Sequence, residues 1–322
     1  MAIHRLRALV SEDFDAVNAL IIEKIHSEIG LIDDLSNHIV QSGGKRLRPL
    51  LVLLASRACN YQGQDHVILA AMMEFFHTAT LLHDDVIDES TLRRGRETAN
   101  KIWGSKASIL VGDYLFVQYM RLMVEVGDLK IMALLADISY QITTGEVKQF
   151  SNRHNPALTV EDYFDVIRSK TSLLFAAAAT LGALAAKAPE AVEKGLYAYG
   201  LHLGNAFQLI DDALDYCSDA KTLGKNIGDD LADGKATLPL LHVLKNGTQA
   251  QQLVIKESLQ LGTLDFLPEI LASIVETNAI EYTRSVAATE VEKALSALNV
   301  LPDSEYKDAL AALAQYAIQR DH

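Results

Sequence analysis

Two short stretches carry most of the readable chemistry. "LLHDDVID" (81–88) and "FQLIDDALD" (207–215) each end an apolar lead-in with Asp-Asp-x-x-Asp. Asp84 and Asp88 are four residues apart, as are Asp211 and Asp215, so each pair shares one face of a helix. Asp85 and Asp212 flank them. Either stretch alone reads as a solvated acidic face. The flanks argue against that, because Phe75, Phe76, Leu81 and Leu82 precede one and Phe207, Leu209 and Ile210 the other. Carboxylates ending a buried helix need a cation. All-oxygen ligands with no thiol nearby select a hard ion. Mg2+ fits best, since it takes one or two carboxylates plus phosphate oxygens. Two acidic pairs facing one another in a helical bundle would grip a metal–diphosphate cluster.

Cations stand out in a chain of net charge -13. "SGGKRLRPL" (42–50) concentrates Lys45, Arg46 and Arg48 behind Gly43 and Gly44, which let backbone approach an anion. Arg93 and Arg94 follow the first acidic motif. His77 lies nearly two turns before Asp84, on about the same face. Lys170 and Thr171 lead into an apolar helix, and Gln208 sits one turn before Asp212. "LGKNIGDDLADGKATLP" (223–239) sets Lys225 and Lys235 around Asp229 and Asp230, as a lid over a metal-bound diphosphate would. Each of these is by itself an ordinary surface charge, and His77 an ordinary core histidine. Together, two cation groups and two acidic motifs imply two anionic substrates, one held by metal and one held directly.

The elements that position these groups are helical. Apolar residues recur at three- and four-residue steps, as in Leu6, Leu9, Val10, Phe14, Val17, Leu20 and Ile21. Apolar residues make up 49% and aromatics 7%, with Ala and Leu dominant, which favours helices over strands. Prolines fall where helices start or stop. Thr159 with Asp162 spells a capping box, and Pro239 suits a first turn. No linker or composition shift divides the chain, so residues 1–322 are expected to form one large all-α domain. The acidic balance argues against nucleic acid and anionic lipid. Cys59 and Cys217 have no spacing partners and read as buried thiols in a reducing compartment. The N-terminus has no signal-peptide pattern, and the longest apolar run, 173–186, is too short to span a membrane. A cytoplasmic protein without an integral membrane segment is expected.

In order along the chain, "GGKRLRP", "HTATLLHDDVIDESTLRRG", "GDYLF", "GEVKQ", "KTS", "FQLIDDALDY" and "GKNIGDDLADGK" resemble the trans-isoprenyl (polyprenyl) diphosphate synthase family. The resemblance implies an isoprenoid-synthase fold, a large helical bundle around a deep central cavity, as a homodimer. It implies condensation of an allylic diphosphate with isopentenyl diphosphate. Carried over by motif, Asp84, Asp85, Asp88, Asp211, Asp212 and Asp215 match the carboxylates that hold two or three Mg2+ ions. Lys45, Arg48, His77 and Arg94 match the isopentenyl diphosphate positions. Arg93, Lys170, Thr171, Gln208, Lys225 and Lys235 match those holding the allylic diphosphate. On this reading Arg93 and Arg94 serve substrate phosphate and do not neutralise the aspartates.

Product length is read from the helix before Asp84. Short-chain members carry large aromatics four and five residues upstream, where this chain has Thr80 and Ala79. Phe76, Met120 and Met123 are candidates for a deeper wall or floor. The expectation is a long chain grown from farnesyl diphosphate, of octaprenyl length, for quinone side chains. Geranylgeranyl or solanesyl products, or a non-catalytic subunit of a heteromeric synthase, are the alternatives. A class I terpene cyclase would carry an Asn/Ser/Glu second motif in place of "DDALD". A His/Asp phosphohydrolase would need more histidines than the one in "HDD" (83–85).

Overall fold

The computed structural model describes residues 2–41, 44–93, 95–217 and 227–320. The described residues are nearly all helical, and the chain groups into two compact units. One comprises Met1–Asp137, Leu174–Gly200 and Ala297–Leu313. The other comprises Ile138–Leu173, Leu201–Ser296 and Ala314–His322.

In the first unit, helices Leu47–Ala58, Asp65–Ile87 and Ser105–Val126 form the framework of the first acidic motif. Leu50 to Leu54 and Met72 and Met73 have no exposure, so these segments are apolar all round and sit inside. Gly182 lies against the backbone of Ala55 and Ser56, where a Cβ has no room. The 65–87 helix is bonded sideways to its neighbour, Ser108 Oγ donating to the Leu82 carbonyl at 3.0 Å. It stops where the Asp88 N–H closes on the Asp84 carbonyl (2.8 Å) and Glu89 turns left-handed, with φ 49°. The one piece of strand among the described residues follows. It is a two-residue antiparallel ladder pairing Leu92 with Glu97 and Arg93 with Arg96. Sequence patterning does not foreshadow it, because two residues are too few to alternate.

The second unit has its own core, including Tyr163, Leu209, Ile210, Leu238, Ile255 and Ile274. Helix Val160–Ile167 opens on the expected capping box, with Thr159 and Asp162 bonded reciprocally. Pro239 sits in the first turn of helix Leu238–Asn246, also as expected. Helix Val160–Ile167 runs on into a π-helical turn, Arg168–Ser172, before helix Leu173–Ala185 begins. The turn lies against helix Glu190–Leu214 at Gly204, where a Cβ would strike Ser172. This helix ends as the 65–87 helix does, with the Asp215 N–H on the Asp211 carbonyl (3.1 Å).

Candidate active site

Both acidic motifs occupy helix C-termini, with no basic residue in the last turn of either helix. That is the negative end of the helix dipole, so the carboxylates add charge where the backbone already opposes it.

In the first unit, Asp84 and Asp88 are half-buried and Asp85 is fully buried. Arg93 donates to Asp85 Oδ1 through Nε at 2.9 Å and Nη2 at 2.6 Å. This corrects the expectation that Arg93 does not neutralise an aspartate. A carboxylate buried this deeply requires an internal partner, and the short ladder brings Arg93 back over it. Asn100 adds a bond to the Asp85 backbone carbonyl (2.9 Å). Lys45, Arg48 and His77 are half-buried in the same unit. The Lys45 carbonyl accepts from Arg7 (2.6 Å), and the Arg48 guanidinium lies 4.6 Å from the centre of the Phe175 ring. Arg94, Lys225 and Gly43 lie outside the described residues.

Ala79 is buried and Thr80 half-buried, its hydroxyl bonded to the His77 carbonyl (2.8 Å). Two turns before Asp84, Phe76 packs edge-on against Tyr119 with centroids 5.0 Å apart, and Phe116 lies 5.6 Å from Tyr119. Met123 is buried, but Met120 is 45% exposed. Met120 therefore faces outward, contrary to its expected place in the floor. Residues 119 and 123 share a helical face, and 120 is turned about 100° from 119.

The second unit holds a cavity of about 110 Å3 lined by Lys170, Thr171, Gln208, Asp212, Asp230 and Lys235, with Arg153, Asp162 and Tyr163 at its walls. Thr171 Oγ1 donates to Gln208 Oε1 (2.7 Å), Gln208 Nε2 donates to Asp212 Oδ1 (2.8 Å), and the Tyr163 hydroxyl donates to Asp212 Oδ2 (2.6 Å). Both Asp212 oxygens are thus held by neutral donors. Burial, then the charges of Asp230 and Asp211, push the Asp212 carboxyl up to about 7, against the bonds from Tyr163 and Gln208. Burial and the adjacent Asp212 likewise push the Tyr163 phenol well up. Lys170 bonds Glu146 (3.2 Å) and Gln149 (3.1 Å), and Lys235 bonds Asp233 (2.7 Å).

Sequence reasoning missed three groups here. Tyr163 reaches Asp212 from another helix. Arg320, near the far end of the chain, pairs with Asp211 at 2.8 Å and covers the Phe207 ring. His154 pins the Asp233–Lys235 turn, its N–H on the Gly234 carbonyl (3.1 Å) and its ring Nδ1 3.0 Å from the Leu259 carbonyl oxygen. No periodicity or motif marks these, since each depends on distant segments meeting.

A carboxylate desolvated and crowded by its own kind, at the negative end of a helix, fits a divalent cation. The donor set is oxygen only, which fits a hard ion.

Comparison with known proteins agrees with this chemistry. The model of the polyprenyl synthetase family matches residues 29–268. The chain is 46% identical over 322 residues to the octaprenyl diphosphate synthase of Escherichia coli, covering 100% of both. It is 45% identical to the all-trans-nonaprenyl-diphosphate synthase (geranyl-diphosphate specific) of Rhodobacter capsulatus, over 97% of this chain and 96% of that one. A polyprenyl synthase of Caulobacter crescentus, solved with calcium and isoprenyl diphosphate, superposes with TM-score 0.96 at 41% identity, covering 99% and 98% of the two chains. The chain belongs to the polyprenyl synthetase family. It is a prenyltransferase of isoprenoid biosynthesis, of the long-chain trans class.

Proposed function

We propose that the chain extends farnesyl diphosphate with isopentenyl diphosphate to the octaprenyl length, for quinone side chains. Identity alone does not choose the length, because the octaprenyl and nonaprenyl relatives stand at 46% and 45%. The observation that carries a long product is the small, buried Ala79 beside Thr80, where a ring would close the path away from Asp84. Incubation with Mg2+, farnesyl diphosphate and isopentenyl diphosphate, followed by chromatographic sizing, tests it. Octaprenyl diphosphate is expected, and a product stopping at farnesyl or geranylgeranyl length overturns it. Geranyl diphosphate as primer in parallel sets the primer preference.

Residue roles are read from the motif positions. Lys45, Arg48, His77 and Arg94 hold isopentenyl diphosphate. Arg93, Lys170, Lys225 and Lys235 hold the allylic diphosphate. Two or three Mg2+ ions, when bound, supply charge stabilisation to the departing diphosphate. The carboxylates of the first motif (Asp84, Asp85 and Asp88) and of the second (Asp211, Asp212 and Asp215) would hold them, with Asp85 oriented by Arg93 and Asp212 by Tyr163 and Gln208. Thr171 and Gln208 present fixed dipoles where positive charge develops on the allylic carbon. The isopentenyl double bond attacks there, and its proton leaves with the released diphosphate. Water must be kept from the reacting carbon, since it would otherwise capture the cation.

We read residues 1–322 as one cytoplasmic synthetase domain that pairs as a homodimer. Helix Ser105–Val126 bears Leu110, Val117 and Val124 seven residues apart, at 65%, 51% and 66% exposure. That stripe suits a second copy. The helix is long and apolar enough to cross a membrane, but 44% of its apolar window is buried, as befits a core helix that also offers an outer face.

A further inference from the structure

Behind the cavity runs a second chain of hydrogen bonds, with the same make-up as the one that faces it. Ser172 Oγ donates to Asn205 Oδ1 at 2.6 Å, and Asn205 Nδ2 donates to Glu290 Oε2 at 2.8 Å. The front chain is hydroxyl, amide, carboxylate through Thr171, Gln208 and Asp212. The rear chain is hydroxyl, amide, carboxylate through Ser172, Asn205 and Glu290. Thr171 and Ser172 are consecutive in the π-turn, and Asn205 and Gln208 are three apart on one face of the 190–214 helix. All three rear side chains are buried.

The polarity of the rear chain is set from its far end. A carboxylate only accepts, so it takes the amide's N–H and turns the amide oxygen toward Ser172, whose hydroxyl must then donate. His202 Nδ1 lies 2.7 Å from the same Glu290 oxygen, and Lys293 Nζ bonds the other oxygen at 2.7 Å. Burial opposes the charge of Glu290, yet the bonds from His202, Lys293 and Asn205 bring its carboxyl down to about 2. The far end is therefore a fixed negative charge. The near end is the π-turn, where Ser172 Oγ also lies 3.2 Å from the Ile167 carbonyl oxygen and the Leu173 N–H bonds the Arg168 carbonyl. A π-turn carries one residue more than the α-helix would, and needs outside bonds to persist.

We infer that Glu290, Asn205 and Ser172 are positioning residues for the condensation, a rear brace that holds the π-turn so that Lys170 and Thr171 face the allylic diphosphate. Glu290 lies beyond the 29–268 stretch that the family model matches, and no recognised motif includes it. The inference rests on the assignment of Lys170, Thr171 and Gln208 to the allylic substrate.

Steady-state kinetics of Glu290→Gln, with Ser172→Ala as the second variant, tests the brace. The glutamine keeps the shape but removes the fixed charge and lets the amide order reverse. The KM for farnesyl diphosphate is expected to rise and kcat to fall, together lowering kcat/KM about ten- to hundredfold, as small misplacements near reacting atoms do. The KM for isopentenyl diphosphate should stay within about twofold, a split that general loss of folded enzyme does not produce. Glu290→Gln combined with Ser172→Ala should be no worse than the more damaging single change, because both cut one chain. Unchanged farnesyl diphosphate kinetics, or both KM values rising alike, overturns the inference while leaving the proposed function standing. Should Glu290→Gln not fold, Ser172→Ala alone decides by the same split. A wild-type enzyme that makes no condensation product overturns the proposed function, and the brace falls with it.

Discussion

Two buried carboxylates, Asp212 and Glu290, end two chains of identical chemistry, and they titrate in opposite directions. The Asp212 carboxyl is pushed up to about 7 by burial and by Asp230 and Asp211, and that of Glu290 is brought down to about 2 against its burial. Each accepts an amide N–H. The difference lies in what else meets the oxygens. Asp212 receives a phenol and has acids around it. Glu290 receives the Lys293 ammonium and His202. One carboxylate is compensated from within the protein, and the other stands where an outside cation would complete it. Structural charge and working charge are thus told apart by their partners, not by their burial.

The largest effect that sharpens this contrast is at Asp212. Asp212→Ala is expected to lower kcat/KM by about a hundredfold, since it removes the carboxylate that Gln208 and Tyr163 orient for the proposed cation. An activity within threefold of wild type would erase the distinction. Gln208→Ala comes next, with kcat down about ten- to hundredfold. An unchanged turnover number there would remove Thr171 and Gln208 from the chemistry.

Glu290→Ala should, beyond its effect on the allylic substrate, cost stability, about 3 kcal/mol by denaturant unfolding, because His202, Lys293 and Asn205 lose their acceptor. If Asp212→Ala destabilises as much, the two carboxylates are alike after all.

The smallest effect is in pH. A carboxyl raised in the fold binds a proton that the unfolded chain releases, so its stabilising contribution is full below the ordinary value of 3.8 and is lost as pH rises through about 7. In chelator, the melting temperature of wild type relative to Asp212→Asn should therefore rise as pH falls from 8 toward 5.5. For Glu290 the sign is opposite. Its contribution is present above the ordinary 4.5 and is lost as pH falls toward 2. A wild-type minus Asp212→Asn difference that stays flat with pH would contradict the crowding of Asp212.

The residues of this account were unequally legible in the sequence. Asp84, Asp88, Asp211 and Asp215 announce themselves because helical spacing is local and charge after an apolar run is unusual. The Thr159–Asp162 cap and Pro239 are local too, and both sit where expected. Tyr163, Arg320 and His154 carry no such mark, since their partners come from other segments. The π-turn is invisible for a related reason. "RSKTS" reads as ordinary helix, and the extra residue is held by Asn205 and Gly204. Glu290, in "ATEVEKAL", reads as one of several surface acids until Asn205 and His202 are seen above it. Met120 failed for a geometric reason, one helical step turning it away from Tyr119.

The most direct test of the central claim is the melting temperature on adding Mg2+ with inorganic diphosphate at pH 7.5, compared between wild type and Asp211→Asn/Asp212→Asn. Binding to the folded state alone stabilises by mass action, so ligand at about a hundred times its dissociation constant adds about 2.7 kcal/mol. Wild type should show that rise only with both components present, and the double variant should lose it. An equal rise in the double variant would show that the cation is held elsewhere and contradict the assignment.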